Sequence, residues 1–109
     1  KWDTSFVLDM SDMLHGASTF NGNLSLWNTM KVTWRACSIK PSYSTTMEGM
    51  FYEATIFNKD ISNWDTSSVL DMSYMFSRAS TFDGNLSLWN TTKVTTMQRM
   101  FFQASAFNS

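Results

Sequence analysis

The sequence predicts an α/β repeat solenoid, a right-handed coil that adds one short parallel strand and one short helix with each 25-residue unit. Three observations point there: a long segment that occurs twice, columns of large apolar residues at fixed spacing, and a composition one unit cannot bury alone. The segment WDTSFVLDMSDMLHGASTFNGNLSLWNTMKVT (residues 2–33) returns as WDTSSVLDMSYMFSRASTFDGNLSLWNTTKVT (64–95), identical at 25 of 32 positions. Within each copy part of the pattern recurs 25 residues after the first Trp. Trp2, Trp27, Trp64 and Trp89 stand 25, 37 and 25 residues apart. A fixed period of this size is the signature of a stacked repeat.

Counting from each Trp, a valine follows (Val7, Val32, Val69, Val94), then two methionine columns: Met10, Met47, Met72, Met97 and Met13, Met50, Met75, Met100. Leu14, Phe51, Phe76 and Phe101 come next, followed by Ala17, Ala54, Ala79 and Ala104, a second column of Phe20, Phe57, Phe82 and Phe107, and an aliphatic column of Leu24, Ile61 and Leu86. The units are 1–26, 27–63, 64–88 and 89–109, and the second fits only if residues 34–45 are an insertion. That insertion holds the single Pro, the single Cys and the one Trp outside the column.

Each element follows from local pattern. In MSYMFSRA (72–79) the apolar residues fall at i, i+3, i+4 and i+7, the stripe of a two-turn helix. NLSLW (85–89) alternates and predicts a short strand, which must bend near Trp89 if Leu86 and Trp89 are both to be buried. KVT (93–95) predicts a second brief extended piece, and FNGN and FDGN carry turn signals. One unit offers about eight core side chains, each worth roughly 1.5–3 kcal/mol when buried. Ordering each of its residues costs roughly 1–2 kcal/mol of backbone entropy. A single unit does not fold; stacked units give each Trp, Met and Phe an equivalent to pack on. The period lies in the leucine-rich-repeat range, with Trp, Met and Phe replacing most leucines.

The units WDTSSVLDMSYMFSRASTFDGNLS and WNTTKVTTMQRMFFQASAFN resemble the BspA-like surface-protein repeat, a variant leucine-rich repeat. The resemblance covers the chain outside 34–45, departs from the pattern at Leu14, and is carried by about ten positions in each of four successive units. It implies extracellular or cell-surface display, a part in adhesion or protein recognition, and no catalytic residues. Because the chain begins and ends within a unit, further units or caps are expected outside it.

Composition excludes several other classes. Eight basic and nine acidic residues, scattered singly, give a net charge of -1 and no footprint for nucleic acid. No apolar run approaches the roughly 18 residues of a membrane span. Cys37 and His15, each the single residue of its type, make neither a disulfide nor a zinc site. With no phosphate loop and no nucleophile paired with a base, no enzyme, cofactor or metal is expected. Methionine pairs at this spacing read as flexible core filler rather than copper ligands. His15, where other units have Tyr52, Ser77 and Phe102, is expected at the surface.

The polar steps Asp3-Thr4, Asn28-Thr29, Asp65-Thr66 and Asn90-Thr91 are expected to bond nearby backbone at a bend. Glycosylation sequons stand at Asn23, Asn85 and Asn90, where Asn also has structural reasons to recur. Partner contact is assigned to Trp34, Arg35 and Tyr43 of the insertion, residue types enriched at binding hot spots, and to Tyr74 and Arg99, which vary between units. The expected function is a non-catalytic surface module that recognises a protein or cell-surface ligand. The alternative is a structural block of an extracellular fibre or multi-subunit assembly, joined to further repeat units or to end-to-end copies of itself through unpaired terminal strands.

Overall fold

The computed structural model describes residues 10–24 and 45–108. Among the described residues two strands form, β1 (Thr45–Thr46) and β2 (Val69–Asp71), and they pair in parallel. Thr45 lies opposite Val69 and Thr46 opposite Asp71, so one extra residue on β2 is absorbed by a local irregularity. Asp71 in turn bridges Thr96 in parallel, and the Thr95 N–H donates to the Leu70 carbonyl at 2.8 Å. Three successive units thus meet edge to edge at the segment before the first methionine. Thr45, assigned to the insertion, belongs to this ladder.

Two expectations are corrected here. Residues 85–89 form no strand: the Trp89 N–H donates to the Leu86 carbonyl at 3.0 Å, closing a turn, and the Ser87 N–H donates to Asn85 Oδ1. The turn brings Leu86 and Trp89 to the same side and leaves Leu88 77 % exposed, which removes the conflict a straight strand would pose. The second correction concerns the helix.

Among the described residues no helix forms, and the segments from the first Met to the Ala are runs of turns. Two residues in each run have left-handed φ: Asp12 and Gly16, Gly49 and Glu53, Tyr74 and Arg78, Arg99 and Gln103. Positive φ at the third residue is what a type II turn demands. Accordingly the N–H of Met13 donates to the Met10 carbonyl, and that of Ala17 to the Leu14 carbonyl, with the same bonds at Met50, Ala54, Met75, Ala79, Met100 and Ala104. The N–H groups between them point sideways. Those of Asp12, Leu14 and Gly16 donate to the carbonyls of Glu48, Met50 and Tyr52; those of Gly49, Phe51 and Glu53 to Ser73, Met75 and Ser77; those of Tyr74, Phe76 and Arg78 to Gln98, Met100 and Phe102, all at 2.7–2.9 Å. An α-helix keeps every interior bond within itself, whereas this backbone spends alternate donors on the next unit.

The core follows the same register. Phe20, Phe57, Phe82 and Phe107 stack with centroids 6.1 Å apart at each step, and Phe51, Phe76 and Phe101 stack at 5.2 and 5.6 Å. Trp64 and Trp89 lie 6.3 Å apart with planes 4° from parallel. Paired backbone advances only about 4.8 Å per step, so the rings are offset rather than eclipsed, the arrangement their quadrupoles favour. Each indole N–H is carried to a carbonyl of the unit before: Trp64 Nε1 to Leu24 and Trp89 Nε1 to Ile61, both at 3.1 Å. Trp2 and Trp27 lie outside the described residues.

Helix and turn run assign opposite signs to one substitution. In a helix, Gly16→Ala would stabilise by about 1 kcal/mol. Gly16 has φ +66° with open space where a Cβ would stand, so the turn run makes Gly16→Ala destabilising by about 1 kcal/mol through backbone strain alone. Thermal or denaturant unfolding of the variant reads the sign directly.

Candidate functional site

Because core positions repeat, what distinguishes one unit from another is found at the surface of the turn runs. Three neighbouring columns carry it. The first left-handed position holds Asp12, Gly49, Tyr74 and Arg99; the second holds Gly16, Glu53, Arg78 and Gln103; the residue before the second holds His15, Tyr52, Ser77 and Phe102.

The columns are joined across units by side-chain contacts. Arg78 Nη1 donates to Glu53 Oε1 at 2.7 Å, and Arg78 Nε donates to Gln103 Oε1 at 3.0 Å, a link spanning three units. The same guanidinium lies 5.9 Å from the Tyr52 ring centre, and that of Arg99 lies 5.5 Å from the Phe102 ring centre. His15 stands 4.6 Å from Tyr52 and bonds Asp12 Oδ1 through Nδ1 at 3.0 Å. The result is a strip in which contacts run from Asp12 and His15 through Tyr52 and Arg78 to Glu53 and Gln103, with Arg99 and Phe102 a separate pair in the last unit. Phe102 is 45 % exposed, a large apolar side chain at the surface.

Of the partner-contact residues read from sequence, Tyr74 is half-buried and Arg99 exposed, both in the first column. Trp34, Arg35 and Tyr43 lie outside the described residues. His15 is exposed as expected, but Ser77 in the same column is 1 % exposed, so that column is not uniformly at the surface. Glu53, Arg78 and Phe102 were not singled out from sequence. The signal was present: the second left-handed column reads Gly, Glu, Arg, Gln across four units that otherwise agree closely.

The polar steps after each Trp do bond backbone at a bend. Asp65 Oδ1 accepts the Ser67 N–H at 2.9 Å, and Asn90 Oδ1 accepts both the N–H and the hydroxyl of Thr92 at 3.0 and 2.7 Å. Thr66 is 1 % exposed and donates its hydroxyl to the Asn90 carbonyl at 3.0 Å, tying its unit to the next. The sequon residues Asn85 and Asn90 are exposed with Oδ1 engaged in these turns, and Asn23 is exposed. A further polar column binds units together: the N–H groups of Asn58, Asp83 and Asn108 donate to the side-chain oxygens of Asn21, Asn58 and Asp83. Among the described residues no three His, Cys, Asp or Glu side chains converge on a metal position, and no helix is long and apolar enough to cross a membrane.

With this geometry in view, comparison with known families is decisive on one point. A model of the DUF285 family, described as a Mycoplasma protein of unknown function, matches residues 1–40 and again 38–109. The chain belongs to the DUF285 family. The two matches meet inside the 34–45 segment, where the repeat pattern is interrupted. No curated protein and no solved structure matches the chain.

The Asx turn at Asp65 has a pH consequence. The Ser67 hydroxyl and then its N–H hold the Asp65 carboxyl below the usual carboxylate value, with partial burial opposing them. A lowered folded-state value contributes stability that is complete above the ordinary carboxylate range and is lost as pH falls through the folded value. Asn90 builds the same turn without a charge. Asp65→Asn is therefore expected to keep the fold at neutral pH and to flatten the loss of thermal midpoint below pH ~4 relative to the parent chain.

Proposed function

We propose that this DUF285 chain is a segment of a surface-displayed recognition module, a right-handed solenoid of the leucine-rich-repeat kind, close in type to the BspA-like repeats it resembles. A run of turns takes the place of the helix in each coil. The single observation that carries the functional reading is a division of labour along the unit. The apolar columns that repeat form the core, as with Met50, Met75, Phe51 and Phe76 at 0 % exposure, whereas charged and aromatic residues at positions that differ, such as Arg78, Arg99 and Phe102, are exposed on the turn runs. A scaffold held constant beneath a variable surface is how repeat proteins present binding faces.

Arg and Tyr on that strip are the types that dominate binding energy at interfaces. Arg78, held by Glu53 and Gln103 and lying over Tyr52, is ordered before any partner arrives, which lowers the entropy lost on binding. The same reading assigns partner contact to Trp34, Arg35 and Tyr43. Extracellular display rests on the resemblance, and it makes a protein or cell-surface ligand the partner.

Beads carrying the chain are expected to adhere to cultured epithelial cells, and beads carrying the quadruple variant Tyr52→Ser, Arg78→Ser, Arg99→Ser, Phe102→Ser to lose at least about tenfold of that adhesion at an unchanged fold. Circular dichroism of both chains supplies the check on folding. Adhesion no greater than that of beads bearing an unrelated protein, or equal adhesion by the variant, would overturn the proposal.

A further inference from the structure

The turn after the second Phe column places two requirements on one dipeptide. Its first residue, Asn21, Asn58 or Asp83, presents a side-chain oxygen to a backbone N–H of the unit that follows, at 3.3, 3.0 and 3.0 Å. Its second residue lies against the ring of the Phe. A Cβ on Gly22 would stand 2.8 Å from the Phe20 ring and one on Gly84 2.7 Å from the Phe82 ring, so the rings as placed leave no room for a side chain. In the unit between, Lys59 takes this position. The array thus builds Asn21-Gly22 and Asp83-Gly84, and beside them a matched step without glycine, Asn58-Lys59.

Asn followed by Gly is the step at which a chain most readily attacks its own side chain, because no Cβ hinders the incoming nitrogen. The Gly22 nitrogen gives its proton to solvent base and bonds Asn21 Cγ, the Cγ–Nδ2 bond breaks, and ammonia leaves a five-membered succinimide. Water then opens the ring. Addition at Cγ restores the ordinary backbone with Asp at position 21, and addition at the other carbonyl leaves the backbone running through Cβ as isoaspartate. One water is consumed, one ammonia is released, and no oxidation state changes. Three features leave this route open in the folded chain. Asn21 is exposed, and so are Asn58 and Asp83, which have a described unit on either side, so exposure belongs to the column. The N–H groups of Gly22 and Gly84 donate to no acceptor among the described residues. The Asn58 N–H donates to Asn21 Oδ1, the oxygen on which negative charge gathers as the ring closes.

We propose that Asn21 is a modification site, deamidated by water in the folded chain, and that the array accepts the aspartate product without loss of register. Asp83 shows why. In the second copy of the long segment an Asp already stands at this place, and its Oδ1 accepts the Asn108 N–H at 3.0 Å. Deamidation turns the FNGN of the first copy into the FDGN of the second and carries the net charge of -1 one unit further negative at neutral pH. The isoaspartate product differs, since its pendant carboxylate is one methylene shorter and its backbone one atom longer, which withdraws the acceptor from the Asn58 N–H. The inference is independent of the recognition strip, whose ligand it does not use.

Peptide mapping by mass spectrometry tests it, on the intact chain aged in mildly alkaline buffer with folding checked by circular dichroism. Conversion is expected at Asn21 at least about tenfold faster than at Asn58, a barrier difference of about 1.4 kcal/mol. The two share a column and differ in the residue that follows. Lys59→Gly is expected to raise Asn58 to the rate of Asn21, and Gly22→Lys to lower Asn21 to that of Asn58. The first removes an exposed side chain and adds no bulk, so the comparison stands even where the second does not fold. Asn21→Asp, made directly, is expected to keep the thermal midpoint of the parent chain at neutral pH. A rate at Asn21 no greater than at Asn58 in the folded chain, or a lowered midpoint in Asn21→Asp, would overturn the proposal.

Discussion

Alternate backbone N–H groups of each turn run cannot be satisfied within their own unit, and the structure depends on the neighbour that satisfies them. A type II turn closes one donor back onto the chain three residues earlier and leaves the next aimed outward. In the interior units those outward donors include the N–H of Phe51 and Phe76, residues at 0 % exposure. A buried amide without an acceptor costs roughly 1–3 kcal/mol, and three such amides per unit would outweigh the marginal net stability any single unit gains from its core. Stacking removes that cost. Repetition of the sequence is therefore a requirement of the backbone as well as of the core.

Side chains reinforce the same register through independent chemistry. The Phe columns fix lateral alignment because a ring displaced by one residue would lose the ring it stacks on in the next unit. The Trp indoles add a directional bond to the unit before, at Leu24 and Ile61. Asn21, Asn58 and Asp83 each accept a backbone N–H from the unit that follows, so a carboxamide and a carboxylate are interchangeable there. Strands contribute little by comparison: β1 has two residues and β2 three. With backbone donors, rings and polar oxygens all specifying one alignment, the surface strip built on Glu53, Arg78 and Gln103 is held by a frame that does not need those residues for its own register.

The buried columns were legible in the sequence because identical side chains at fixed spacing imply a common environment. Met47, Met50, Phe51, Ala54 and Phe57 are all buried in one cluster, as their columns predict. The helix was not legible as an error, since a spacing of three, one and three residues places side chains on one face of a helix and on one face of a turn run alike. What separates the two is positive φ, and the residues adopting it include Arg78, Arg99, Glu53 and Gln103, whose identities favour helix. Only Gly16 and Gly49 carry the usual mark. The strand expected at 85–89 failed for a related reason: alternation in NLSLW is also the pattern of an Asx turn followed by a bend. At the surface, variation between units pointed to Tyr74 and Arg99, while the link through Arg78 required knowing which columns adjoin.

Amide hydrogen exchange, resolved by residue in dilute solution, tests the central claim most directly. Equivalent amides in the earlier units and in residues 89–109 differ in whether a following unit among the described residues accepts and covers them. Strong protection is expected at Phe51, Glu53, Phe76 and Arg78, and rapid exchange at Phe101 and Gln103. Equal exchange rates at Phe76 and Phe101, or protection running uniformly through successive residues as in a helix, would contradict it.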